Sequence, residues 1–282
     1  RLWPALPEWG MPHELPPPRR LPRLWTQAFV LLCAFYFLTF FAGYQLFPIV
    51  HLHLRDLGAN LAESGRFMAT FTLGSALGCL FTGPLGDRVG QRRMLRWASL
   101  AMVAFFLLYA FVPRSLRWAF YVLAPLTGLV WSGLRTAAMA KAGSLLSPEH
   151  RAEGMSFFGM ASPAGIAVGP LVGLALWHLL KPEFRFSWIL LALGAVFLGL
   201  HLMVRRLPGE APEEQRRGAG FQLPERAVLL PVLILFLVGV SYGPMPPYSA
   251  QEAKLLNMAW SSASLTSLAL GMAAMRPLLA VP

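Results

Sequence analysis

Residues 83–95 read Gly83-Pro84-Leu85-Gly86-Asp87-Arg88-Val89-Gly90-Gln91-Arg92-Arg93-Met94-Leu95. The stretch lies between two apolar runs, Leu61–Thr82 and Met94–Val112. Each run is long enough to cross a bilayer, which takes about 20 apolar residues in helical form. The stretch between them therefore reads as a short charged turn joining two membrane helices. Gly83, Gly86 and Gly90 allow a sharp reversal, because glycine adopts backbone angles closed to other residues. Asp87 is an isolated acid followed by Arg88, Arg92, Arg93 and Arg96. That charge mix fits no soluble catalytic motif.

Composition points the same way. Hydrophobic residues make up 56% of the chain and charged residues 13%, about half the charge of a soluble domain, and the mean hydropathy is +0.54. The chain is expected to be an all-α integral membrane protein, with the lipid bilayer as its first partner. The net charge of +11 does not imply nucleic acid, because the bases sit in short loops between apolar runs rather than in a stripe on a soluble surface. Cys33 and Cys79 both fall inside apolar runs and read as free, buried thiols. Neither a disulfide framework nor a metal site is supported, and no cofactor is expected. Residues 1–24 are proline-rich and basic and lack the apolar core of a cleavable signal peptide. They read as a cytoplasmic tail, leaving the first helix as an uncleaved anchor. The chain starts at Arg1 and stops within an apolar run, which raises the expectation of a fragment of a longer protein.

Eight membrane helices are predicted, at about 25–50, 61–83, 94–112, 117–140, 155–178, 186–206, 227–248 and 258–280. Sorting the loops between them by charge gives an asymmetry. The tail, Asp87–Arg96, Lys141–Arg151 and Arg205–Arg226 hold 15 of the 24 Lys and Arg residues, and the opposite loops hold 7. Positive charge marks the cytoplasmic side, so the tail and the Asp87 loop are expected there, in a multi-pass protein of the plasma or inner membrane. Trp25, Trp97, Trp118, Trp177, Trp188 and Trp260 fall near helix ends, as an interfacial aromatic belt requires. Residues 207–226 carry Pro208, Gly209, Pro212, Gly218, Gly220 and Pro224 with charges of both signs, the composition of a linker. The domain reading is a tail at 1–24, a six-helix bundle at 25–206, a cytoplasmic linker at 207–226 and two helices of a second bundle at 227–282.

The opening stretch resembles the loop between helices 2 and 3 of the major facilitator superfamily, whose pattern is G-x-L-x-D-R-x-G-R-[RK]. Gly83, Leu85, Asp87, Arg88, Gly90, Arg92 and Arg93 fit, and Gln91 stands where the family usually has a base. Six helices, a linker and further helices is also that family's layout. Leu73-Gly74-x-Ala76 matches Leu270-Gly271-x-Ala273, as expected if helices 7 and 8 repeat helices 1 and 2. Met275-Arg276-Pro277-Leu278 resembles a segment many members carry at the end of helix 8. The resemblance covers residues 25–282 and implies a complete six-helix first half, two helices of the second half, and four helices missing. In the family the Asp87 position is a gate residue.

Helix 5 contains Gly165-Ile166-Ala167-Val168-Gly169-Pro170-Leu171-Val172-Gly173. Glycines four apart form one smooth face that lets a neighbouring helix approach closely, and Pro170 can bend the helix. Gly165, Gly169, Pro170 and Gly173 resemble the helix-5 motif of facilitator antiporters, which seals the two halves and is associated with export. Leu174 replaces its last glycine and Ser156 its distant first one.

Helix 4 departs from the drug-antiporter pattern: Ala124 stands where an intramembrane arginine is expected, and Ser144 where an acid is expected. Arg135 lies eleven residues beyond Ala124, with Thr127 and Trp131 between them on one stripe. Three readings stay open for it: attraction of an anionic substrate, a latch on the cytoplasmic gate, or snorkelling to the interface. Helices 1, 4, 7 and 10 line the substrate path in this family, which makes Tyr44, Gln45, Trp131, Arg135 and Tyr242 candidate cavity residues. The carboxylates lie in loops or at helix ends, none at mid-membrane.

The reading is a secondary transporter of a small molecule working by alternating access, an exporter coupled to a proton or ion gradient. An inactive remnant, or a half-transporter needing a partner chain, is the alternative. On that alternative Gly74, Gly78 and the Gly165 face lack partners and leave an exposed seam on helices 2 and 5. A membrane enzyme would need paired carboxylates, a His-rich metal cluster or a Ser/His pair at membrane depth. The sequence holds none, so no catalytic residue is expected.

Overall fold

A computed structural model describes residues 25–209, together with a few helical positions between 230 and 271. The expected tail, most of the linker, most of helices 7 and 8 and Tyr242 lie outside the described residues. Six long helices form a bundle: α1 (Gln27–Asp56), α2 (Leu61–Val89), α3 (Gln91–Ala110), α4 (Ala119–Leu145), α5 (Arg151–Leu179) and α6 (Arg185–Val204). Short 3-10 turns precede α4 (Arg114–Leu116) and α5 (Pro148–His150). Five of these helices are long and apolar enough to cross a membrane. The stretch α4 contributes is less apolar, because Thr127, Ser132, Arg135 and Thr136 interrupt it.

The helix starts follow local chemistry. Thr26 caps α1, its hydroxyl accepting from the Phe29 N–H at 3.3 Å. Asn60 caps α2 in a reciprocal box with Glu63: the Asn60 side chain accepts from Glu63 N–H at 2.8 Å, and Glu63 Oε2 accepts from Asn60 N–H at 3.0 Å. Such a box satisfies two backbone donors that a helix start otherwise leaves open.

The reversal between α2 and α3 differs from the sequence expectation. Residues 83–89 are the last two turns of α2, and Gly90 alone turns the chain, with φ 96° and ψ 136°. Only that glycine needs its conformational freedom. Gly83 and Gly86 are helical, so the charged stretch is a helix end rather than a loop. The helices also run longer than expected: α1 reaches Asp56 and α4 reaches Leu145. Lys141, expected in a loop, therefore lies within α4 and is 2% exposed. Trp177, expected in the aromatic belt, is buried, whereas Trp25, Trp97, Trp118 and Trp188 are exposed.

The most extensive contacts pair α2 with α4, α1 with α5, and α3 with both α6 and α4. Helix α1 also meets α2, α4 and α6. Backbone contact sets the α2–α4 crossing. A Cβ placed on Gly74 would lie 2.0 Å from the Pro125 carbonyl oxygen, and one on Gly128 would lie 2.1 Å from the Phe71 carbonyl oxygen. Gly78 meets Ser132 and the Leu129 backbone. Buried hydroxyls are satisfied inside their own helices: Thr39 donates to the Phe35 carbonyl and Ser99 to the Leu95 carbonyl. Tyr109 and Thr127 share a hydrogen bond of 3.0 Å between α3 and α4.

Candidate functional site

Three groups of residues were expected to carry function. The first is the end of α2. Asp87 is exposed there, and its Oδ1 accepts from Gln91 Nε2 at 3.0 Å. Gln91 lies over Gly86, where a Cβ would come within 2.7 Å of Gln91 Oε1. The residue that replaces the family's usual base is thus the one that holds Asp87. Arg88 and Arg93 point to the exterior. Arg88 stands in the last turn of α2, where a cation interacts favourably with the helix dipole.

Arg92 does something the sequence did not signal. Its Nε donates to the Val204 carbonyl at 3.3 Å, and its guanidinium also donates to the Arg205 carbonyl. Those carbonyls lie at the end of α6, where the helix itself supplies no donor; the Val204 carbonyl also accepts from the Leu207 N–H at 3.1 Å. Arg92 is therefore a cap on α6 supplied from 112 residues away in sequence. The neighbouring turn adds His201 Nδ1 to the Arg96 carbonyl at 3.0 Å. Arg92→Ala is expected to lower stability by about 1–2 kcal/mol through loss of a charge-assisted cap. A thermal melt of the detergent-solubilised protein measures it, with Arg93→Ala as the exposed control.

The second group is the glycine face of α5, and here the structure corrects the expectation of an open seam. Gly165 packs on the backbone of Phe37 and Phe41, Gly169 on the Phe41 carbonyl, where a Cβ would lie at 2.6 Å, and Gly173 on Ile49 and Gln45. All three meet α1, inside this bundle. Gly74 and Gly78 likewise have α4 as their partner. Pro170 is buried within α5. An exposed apolar face does remain on α2, at Leu73, Leu77, Leu80 and Phe81, but it carries no glycine of the motif.

The third group is the set of cavity candidates, which the structure divides. Gln45 is 2% exposed and faces α5. Trp131 is 4% exposed and lies against Gly43 of α1. It makes an edge contact with Phe40, with ring centroids 5.5 Å apart. Both side chains are packed between helices rather than presented at a surface. Tyr44 is half-buried between Phe40 and Phe47, with centroids at 5.9 and 5.3 Å.

Arg135 is exposed. With 100° per residue, it falls between the arc of α4 that meets α1 at Trp131 and the arc that meets α2 at Pro125, Gly128 and Ser132. Met139, one turn on, is rotated about 40° toward the α2-facing arc and is 47% exposed. The remaining exposed arc, Val122, Leu126 and Leu129, lies on another side of the helix. Arg135 takes part in no hydrogen bond or ion pair among the described residues.

At the opposite end of the bundle, Arg185 of α6 pairs with Asp56 of α1. Its guanidinium carbon sits 3.8 Å from the ring centre of Trp177 on α5. His53 stacks on Phe186 with centroids 3.6 Å apart. These contacts tie three helix ends together, and no local spacing in the sequence announces them.

The chain has counterparts among known proteins. The profile of the Major Facilitator Superfamily matches residues 32–281. The chain belongs to that superfamily. The superfamily's fold also appears in the crystal structure of the human organic anion transporter MFSD10 (TETRAN), with a TM-score of 0.67 at 18% identity, covering 90% of this chain and 71% of that one. The gentisate transporter of Corynebacterium glutamicum is 25% identical over 183 residues, 62% of this chain and 40% of its own length. Major facilitator superfamily domain-containing protein 10 of Bos taurus is 30% identical over 194 residues, 68% of this chain and 40% of its own. The chain spans about two fifths of the length of the curated relatives it matches. Membership of the superfamily makes it a multi-pass membrane protein of a transporter family and not an enzyme.

Proposed function

We propose that this chain is part of a secondary transporter that moves a small organic anion by alternating access, with Arg135 on the wall that meets the substrate. The observation that carries the reading is the exposed guanidinium at membrane depth, off the lipid-facing arc of its helix. An intramembrane arginine needs a partner or a water-filled cavity, and an anion supplies the partner. The names of two relatives, a gentisate transporter and an organic anion transporter, support an anionic substrate class. Tyr44, with Phe37 and Pro48 on the same face of α1, forms the neighbouring wall, and Tyr242 belongs to the facing half. The transporting unit includes further second-half helices, in a longer chain or a partner chain, a reading that the greater length of the relatives supports.

The remaining assignments follow the sequence. The protein resides in the plasma or inner membrane, with the tail and the Asp87 turn on the cytoplasmic side, where the positive charge lies. Export driven by a proton or ion gradient is the direction favoured by the antiporter-like Gly165–Gly173 motif. The Asp87–Gln91 contact with its surrounding arginines stabilises one closed state at the cytoplasmic face.

Proteoliposomes holding the full-length transporter test the reading. An imposed pH gradient is expected to drive accumulation of a small carboxylate, with gentisate as the first probe. Failure of every carboxylate in a panel, with a neutral or cationic probe transported instead, overturns the anion assignment. Asp87→Asn is expected to cut the rate at least tenfold with substrate affinity within about twofold, since a gate residue acts on the closed state. Wild-type rates in that variant refute the gate role.

A further inference from the structure

Two histidines near the end of α1 are placed differently. His53 is packed: its ring stacks on Phe186 of α6 and lies 5.9 Å from the Phe120 ring of α4. His51 is half-buried, and its side chain takes part in no hydrogen bond or ion pair among the described residues. Helix geometry separates the two. With Gly43 as origin, α1 meets α4 and α2 through Gly43, Phe47 and Phe40, within about 60°. It meets α5 through Phe41, Gln45 and Ile49 at about 160–240°, and α6 through His53 at about 280°. The arc left over, about 80–140°, holds His51, Tyr44, Phe37, Arg55 and Pro48. The exposed face of α3, at Leu100, Leu107 and Leu108, is apolar, whereas this arc ends in an imidazole and a guanidinium.

Depth sets His51 apart from Arg135. Gly43 and Trp131 touch and so share a level. At 1.5 Å per residue, His51 lies about 12 Å from that level toward the Asp56 end, and Arg135 about 6 Å on the other side. One small carboxylate does not bridge the resulting separation of about 18 Å along the axis. The charge that bears on His51 is Arg55, one turn on along its own helix. Charged groups on the neighbouring helix ends lie beside other residues: Asp56, Arg114 and Arg185 beside His53, and Glu63, Arg66 and Arg117 beside Tyr121. At the end of α5, the side chains of His178, Lys181 and Glu183 are exposed and make no hydrogen bond or ion pair among the described residues. His51 thus has a base beside it and no acid.

Resting on the organic-anion reading, we infer that His51 and Arg55 form an outer carboxylate-binding station on the transport path, separate from Arg135 and strengthened when His51 is protonated. Side chains four apart on a helix are neighbours. A carboxylate between them accepts from the Arg55 guanidinium at every pH, and from a second charged donor only when His51 carries its proton. Imidazole changes charge between about pH 5 and 8, and a nearby anion favours the charged form. Binding at the station therefore takes up a proton and weakens as pH rises.

Vesicles that present the Asp56 end of α1 outward, carry the full-length transporter and are loaded with gentisate test the station. External gentisate is exchanged at the same pH on both sides, so no proton gradient acts, and a carboxylate is ionised throughout the range used. The wild-type half-saturation concentration is expected to rise about tenfold between pH 5 and pH 8, the loss of one charge-assisted hydrogen bond. His51→Gln is expected to hold the weaker value at both pH values, and His51→Lys the tighter one. Carboxylate exchange whose half-saturation does not change with pH, or a rise that persists in both variants, overturns the station and leaves the anion reading standing. Failure of every carboxylate to exchange overturns both.

Discussion

Gly128→Leu is expected to prevent the α2–α4 pair from forming and to abolish the folded, monodisperse protein. A Cβ at this position would lie 2.1 Å from the Phe71 carbonyl oxygen, and side-chain carbons essentially never approach closer than 3.0 Å. The obstructing atom is backbone, so no rotamer change relieves it. The helices would have to part by about 0.9 Å, the difference between those two distances. A gap of that size forfeits a quarter to a half of each dispersion contact it opens. It opens them along the most extensive helix pair of the bundle. Without a hydrophobic driving force between helices in lipid, such contacts are the main source of association. The loss is expected to exceed the roughly 1–3 kcal/mol typical of overpacking. Gly143→Leu is the matched control: it lies in the same helix, and nothing comes within 4 Å of its added carbon. Size-exclusion profiles and thermal melts of the two variants in detergent decide the matter. A Gly128→Leu protein as stable as Gly143→Leu would refute the backbone crossing.

How much of this was legible in the sequence varies by residue. The six helices were, because apolar runs of about 20 residues admit one structure in a bilayer, where every backbone group must be paired internally. The spacing of Gly165, Gly169 and Gly173 correctly announced a close helix approach. It could not say which helix approaches, and among the described residues α1 takes that place. The Asp87 stretch shows a similar limit. Three glycines suggested a loop, yet a helix tolerates glycine at a modest cost, and only Gly90 has angles that a helix forbids. Lys141 misled for a related reason. A base near a helix end reads as loop, whereas burial depends on which neighbours surround it. The Arg92 cap on α6 and the Arg185–Asp56–Trp177 contact join residues over a hundred apart or on three different helices, and periodicity carries no information about such pairs. Among the cavity candidates, the stripe through Thr127, Trp131 and Arg135 was one face only approximately. The 100° step rotates Arg135 past the α1 contact that buries Trp131, and that rotation separates the exposed Arg135 from the buried Trp131.

Arg135→Gln is expected to raise the KM for an anionic substrate about thirtyfold or more, because truncating one partner of a desolvated charge pair costs roughly 2–5 kcal/mol. The position makes the effect specific. Arg135 is 10 residues from the end of α4 at Leu145, about 15 Å along the axis. A guanidinium held there without a protein partner among the described residues is costly unless water or an anion reaches it. Arg135→Lys keeps the charge but loses the planar fork that binds a carboxylate through two parallel bonds. It is expected to recover part of the affinity, leaving KM about three- to tenfold above wild type, with kcat little changed. A snorkelling arginine predicts a different pattern, in which glutamine alters the melting temperature and expression while KM stays put and lysine serves as well as arginine. A gate latch predicts a third, in which kcat falls for both variants and KM is spared. Substrate concentration series on the three proteins in proteoliposomes separate these outcomes, and only the first places the anion on α4.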